Sequence, residues 1–92
     1  MKEVIQVIPR NNFKVYVYFN DGKIKLFDMS PLIGLGVFKQ ISNIDIFIKA
    51  CTVLNHTLAW DILGNRDTYS CLDIDPETIY IEGIDVKDPI RA

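Results

Sequence analysis

The chain has 92 residues, 49% of them hydrophobic and 24% charged, and a formal net charge of −2. This length accommodates one domain that buries roughly 60–65% of its unfolded surface, and the composition excludes both a disordered chain and a binder driven by bulk positive charge. Charges interrupt every apolar run, so no membrane span is expected, and Met1-Lys2-Glu3 leads into strand-like sequence without a secretory leader, which predicts a cytoplasmic protein.

Val4 to Ile8 predicts an opening strand, stopped by Pro9 and the polar turn Arg10-Asn11-Asn12. Phe13 to Asp28 spells an antiparallel hairpin, with apolar alternation on both sides of Asn20-Asp21-Gly22. With Asp21-Gly22 as a two-residue loop, Phe19 opposes Ile24, Val17 opposes Leu26 and Val15 opposes Asp28 on one face; Tyr18 with Lys25 and Tyr16 with Phe27 form the other. An N-terminal three-stranded meander follows from this reading.

After Asp28 the period changes. Ser30 is placed to cap a helical turn with Pro31 in its first position, and Gly34 and Gly36 end it. Val37, Phe38 and Ile41 fall on one side of a short helix, and Ile44, Phe47, Ile48 and Cys51 repeat at helical spacing behind a Ser42 or Asn43 cap. These stripes are expected to pack as short helices on one face of the sheet. Cys51–Leu54 and Thr57–Asp61 predict a second hairpin around Asn55-His56, with Leu54 opposite Thr57 and Cys51 against Trp60. A polar loop runs from Gly64 to Ser70, Leu72 and Ile74 return to the core, and Asp75-Pro76 begins a C-terminal helical turn. The fold class is α+β, with one domain over residues 1–82 and an exposed tail over 83–92.

The chemistry of the sequence is that of a scaffold. A nucleophile and its base must come within hydrogen-bond reach, yet the second hairpin puts Cys51 three residues below the tip that carries His56, roughly 10 Å away at about 3.3 Å per residue. Cys51 and Cys71 are expected as reduced structural thiols, outside any C-x-x-C pair. Asp61, Asp67, Asp73, Asp75 and Glu77 supply hard oxygen ligands, but a calcium loop starting at Asp73 meets Thr78 where glycine is needed and Ile84 where the bidentate glutamate belongs. Gly34-Leu35-Gly36 has Lys39 at the third glycine position of a phosphate-binding fingerprint and no strand leading into it. No catalytic, metal or cofactor residue is therefore assigned.

The charge is uneven. Residues 1–49 carry seven Lys/Arg against four Asp/Glu, a balance of +3, and residues 50–92 carry three against eight, a balance of −5. The face expected to carry Lys14, Tyr16, Tyr18, Lys25 and Phe27 is apolar and basic at once, and is the candidate interaction face. With Lys23 it has the makings of a nucleic-acid platform, rings to stack on bases and lysines to meet phosphates. The pI of 5.2 and the absence of arginine from the hairpin make that the second reading, with a protein partner first.

Three segments carry a family resemblance: Phe19-Asn-Asp-Gly22 leading to Phe27-Asp28-Met-Ser30-Pro31, Leu58-Ala-Trp60-Asp61, and Leu72-Asp-Ile-Asp75-Pro76-Glu-Thr-Ile79-Tyr80. Together they resemble the bacterial domain-of-unknown-function family numbered 2442, over nearly the whole chain to about Glu82. The resemblance implies a small α+β domain, found alone or ahead of a helix-turn-helix module, in gene neighbourhoods that have prompted antitoxin-like proposals, and it implies no established enzyme activity. Here Asp61 to Cys71 lengthens the loop between the tryptophan and the Asp-x-x-Pro segment, and residues 83–92 hold no recognition unit of two packed helices. The expectation is a non-enzymatic interaction domain with a protein partner encoded nearby or a second copy of itself, nucleic-acid binding and an acidic metal-dependent site being the alternatives.

Overall fold

Alternating β-branched and aromatic residues draw the first third of the chain into β1 (Val4–Pro9), β2 (Lys14–Phe19) and β3 (Ile24–Asp28). In the computed structural model, which describes residues 1–91, there follow α1 (Ile44–Ala50), β4 (Cys51–Leu54), β5 (Thr57–Trp60), β6 (Leu72–Asp73), α2 (Pro76–Glu82) and β7 (Ile84–Asp85). The strands form two antiparallel sheets, ordered β1-β2-β3-β7 and β4-β5-β6. The α+β class and the N-terminal meander are as expected; the register of the meander's hairpin is not.

Gly22 N–H donates to the Phe19 carbonyl at 3.1 Å, and Phe19 N–H donates to the Lys23 carbonyl at 2.9 Å. The loop therefore holds three residues, Asn20-Asp21-Gly22, with Gly22 alone in the left-handed region at φ +90°. Asp21 avoids positive φ because its carboxylate accepts the Lys23 N–H at 2.9 Å, a local bond that favours a type I turn followed by a glycine bulge. The resulting pairs are Lys14–Asp28, Val15–Phe27, Tyr16–Leu26, Val17–Lys25 and Tyr18–Ile24. Since side chains alternate with period two, this one-residue slip exchanges the faces of β3 relative to β2.

Val4, Val15, Val17, Phe19, Phe27 and Met29 pack against Ile41, Phe47, Leu58, Trp60, Ile74 and Ile79 in one core shared by both sheets. The second hairpin keeps the expected register, Cys51 against Trp60 and Leu54 against Thr57. Asn55 and His56 both take positive φ, +52° and +63°, the requirement of a two-residue loop matched to strand twist. Val4 N–H donates to the His56 carbonyl at 2.9 Å and ties the sheets together.

Helical expectations hold only in part. Residues 30–34 form a turn, and its side-chain cap is Asp28, whose carboxylate accepts the Ser30 N–H at 2.9 Å, in place of Ser30 itself. Gly36–Ile41 is a 3-10 helix; at three residues per turn it buries Ile41 but leaves Val37 facing solvent. Asn43 is the cap of α1, accepting from Asp45 and Ile46 N–H. Phe47 is buried and Ile48, beside it in α1, is exposed; α1 stops at Ala50, so Cys51 enters a strand.

The segment expected as an exposed tail is partly structural. Asp75 caps α2 through the Glu77 N–H at 2.9 Å, α2 runs seven residues rather than one turn, and β7 then pairs with β3 through Lys25–Asp85 and Leu26–Ile84. Gly83 makes this docking possible: a Cβ there would stand 2.7 Å from the Ile79 carbonyl oxygen and 2.9 Å from Lys25 Cβ. Residue 92 of that segment lies outside the described residues.

Candidate interaction face

Cross-strand partners share a face, so the three registers of the first sheet define its rows. Ile8, Tyr16, Leu26 and Ile84 form one apolar row across all four strands, on the side away from the core. Ile8, Tyr16 and Leu26 are half-buried and Ile84 is 67% exposed. Beside it runs a charged row: Arg10, whose N–H donates to the Lys14 carbonyl at 2.8 Å, then Lys14, then Asp28. The Arg10 guanidinium also stands 5.8 Å from the Tyr16 ring centre, a loose cation–π contact.

Toward the other end lie Gln6, Tyr18 and Ile24, followed by Val86, whose N–H donates to the Ile24 carbonyl at 3.1 Å. There the segment after β7 folds over the sheet. Tyr18 donates its hydroxyl to Asp88 at 2.7 Å and is only 8% exposed. Burial, and then the bond to Asp88, push the Tyr18 phenol from 10.0 up to about 12, while the same bond holds the Asp88 carboxyl below the usual range. Because the folded-state value is the higher one, this stability contribution is intact below pH 10 and is lost as pH rises through 10 to 12, the unfolded chain releasing the proton first. Alkaline unfolding followed by circular dichroism should show that loss in the parent chain, and Tyr18→Phe should abolish its Tyr18 component; identical profiles would contradict the contact.

The five residues expected on one interaction face are thus divided between two. Lys14, Tyr16 and Tyr18 lie on the outer side, with Tyr18 covered by the 86–91 segment. Phe27, 4% exposed, is in the core. Lys25 also lies on the core side, its stem buried and its ammonium 2.7 Å from Asp85 and 4.8 Å from the Tyr80 ring centre. Asp85 is held below the ordinary carboxylate range chiefly by that lysine. The slip removes two members of the expected face and supplies Leu26, while Ile8 and Ile84 come from β1 and β7. Of these, Leu26 has a local signal: a three-residue loop at Asn20-Asp21-Gly22 turns it outward.

The groups weighed for catalysis are dispersed. The Cys51 thiol is pushed up to about 12 by burial, so it stays protonated near neutrality. Cys71 donates to the Thr68 carbonyl at 3.6 Å and is raised by burial and then by Asp73. His56 Nδ1 stands 3.7 Å from the Glu3 carboxylate at the exposed hairpin tip. A shallow cleft of about 460 Å³ beside α1 is lined by Ile46, Lys49, Ala50, Asp61, Ile62 and Gly64. The Asp61 carboxylate there is engaged by the Gly64 and Arg66 N–H groups. Arg66 in turn donates to the Val53 carbonyl at 2.9 Å, so the base of the long acidic loop is fastened to β4.

The family model described as "Protein of unknown function (DUF2442)" matches residues 4–85. Over 38 residues the chain is also 42% identical to a methylthioribulose-1-phosphate dehydratase of Sulfurihydrogenibium sp. (strain YO3AOP1). That stretch is 41% of this chain and 18% of the enzyme, so the chain spans less than a fifth of that relative's length. No solved structure matches the chain.

Proposed function

This chain belongs to the DUF2442 family, whose description assigns no function, and we propose that it is a non-enzymatic interaction domain that binds protein through the outer face of its first sheet. The observation that carries this reading is the row Ile8–Tyr16–Leu26–Ile84: four apolar residues aligned across a sheet whose opposite side already holds the core. Soluble domains seldom leave a contiguous apolar band beside a charged rim unless something covers it. The reading is sharpened to an antitoxin-like role, in which the partner is the product of an adjacent gene and binding neutralises it. Nucleic-acid binding loses support from the same geometry, because Phe27 and Lys25 are turned away from Tyr16.

Co-expression with the adjacent gene's product tests the proposal. The parent chain should recover it one to one, and Leu26→Asp, shown by circular dichroism to be folded, should lose it at least about tenfold, since a charge in the middle of an apolar contact is left without a partner. Undiminished recovery by the folded Leu26→Asp chain would remove this face from the interaction.

A further inference from the structure

We infer that, in the absence of another protein, this outer face closes on a second copy of the chain, sheet against sheet, about a twofold axis running along the strands between β2 and β3. The inference rests on the reading of the face as a contact surface and names its occupant. Its warrant is the pattern of charge. Along the row Arg10–Lys14–Asp28 the signs run plus, plus, minus, with Lys14 on β2 and Asp28 on β3.

Rotation about the stated axis lays β2 of one copy over β3 of the other at the same height. Lys14 then meets Asp28 of the second copy, and Asp28 meets its Lys14. In the neighbouring row Tyr16 meets Leu26 and Ile8 meets Ile84, each contact occurring twice, as an isologous interface requires. The competing twofold, across the strands, carries Arg10 and Lys14 toward the Tyr18 end. The carboxylate standing there, Asp88, has Arg91 4.0 Å away to offset it, whereas Asp28, which likewise accepts a hydrogen bond, has no cation within that distance among the described residues. Charge complementarity therefore selects the first arrangement.

The 86–91 segment stands over the Tyr18 end, away from the charged row, so contact centres on the Tyr16 row while the twisted sheets diverge toward the segment. Four strands about 4.8 Å apart, met at one end, make a patch at the small end of specific interfaces, and the dimer should be weak and concentration-dependent.

Analytical ultracentrifugation over a range of concentrations tests this arrangement. The parent chain should show a monomer–dimer equilibrium. Lys14→Asp and Asp28→Lys should each weaken it at least about tenfold, because each places two like-charge pairs in the interface. An equimolar mixture of the two variants should regain association near the parent level, since the heterodimer restores an opposite-charge pair at both positions. Lys14 is half-buried and Asp28, though exposed, caps the turn after β3, so circular dichroism first establishes that both variants are folded. A parent chain that stays monomeric throughout, a dimer indifferent to both variants, or a mixture no stronger than either variant alone would each overturn the inference. A monomeric parent that still loses the adjacent gene's product on Leu26→Asp would overturn the second copy and leave the contact-face reading standing; retention of that product by Leu26→Asp would remove the reading itself.

Discussion

Phe27→Ala should cost about 3–5 kcal/mol of folding stability, and Leu26→Ala, one residue away, only about 1 kcal/mol. Phe27 fills the core beside Val15, and its removal leaves a cavity between two sheets that cannot collapse freely. Leu26 sits half-buried on the outer face, where solvent or a shifted neighbour takes up the space. In a domain whose total stability is of order 5–15 kcal/mol, the first change removes a large share and the second does not. Urea denaturation with an unchanged slope measures both. A hairpin with a two-residue loop would put Leu26 under Val17 and turn Phe27 outward, so the ranking of the two variants would invert.

Trp60→Ala is expected to be as severe, again about 3–5 kcal/mol, and should lower the melting temperature by at least roughly 12 °C in a domain of this size. Trp60 is fully buried at the end of β5, its ring centre 5.4 Å from that of Phe47. Its indole N–H donates to the Phe47 carbonyl at 3.1 Å, near the end of α1, where carbonyls lack helical partners. One side chain thus joins the second sheet to the helix that covers it. Trp60→Phe keeps most of the apolar contact but leaves that carbonyl buried and unpaired, a further cost of about 1–3 kcal/mol. Differential scanning calorimetry should rank parent, Trp60→Phe and Trp60→Ala in that order; a Trp60→Ala chain melting within a few degrees of the parent would contradict the shared core.

The sequence made some parts of this fold legible because a local signal had one solution. Asn55-His56 between two apolar runs admits a two-residue loop, and the second hairpin's register followed. Asn20-Asp21-Gly22 admits two solutions, because glycine serves a two-residue loop as its second member and a three-residue loop as its third. The strand after it could not arbitrate: Leu26 and Phe27 are both apolar, so either can face a core. What decided between them is tertiary, the fit of Phe27 into a cavity lined from the second sheet and α1.

Two further features depend on tertiary structure in the same way. Ile84-Asp85 is too short to announce a strand, and it became one only because β3 offered an unpaired edge and Lys25 a partner for Asp85. The burial of Tyr18 depended on Asp88, seventy residues away in the chain. No single hairpin carries Ile8 and Ile84 beside Tyr16 and Leu26, since the apolar row exists only once β1 and β7 are in place. The register of β3 therefore decides which residues line the outer face, while the α+β class is the same for either register.

The alternation of hydrogen-bonded and non-bonded pairs supplies the most direct check. Phe19 bonds Lys23 at one end of the hairpin and Met29 N–H bonds the Phe13 carbonyl at the other, so Tyr16 and Leu26 form a close, non-bonded pair between them. Nuclear Overhauser spectroscopy should show a strong Hα–Hα cross peak between Tyr16 and Leu26, with companions for Tyr18–Ile24 and Lys14–Asp28. Strong Hα–Hα peaks joining Val17 to Leu26 and Val15 to Asp28 would mean the two-residue loop, and with it the loss of the apolar row on which the proposed interaction face is built.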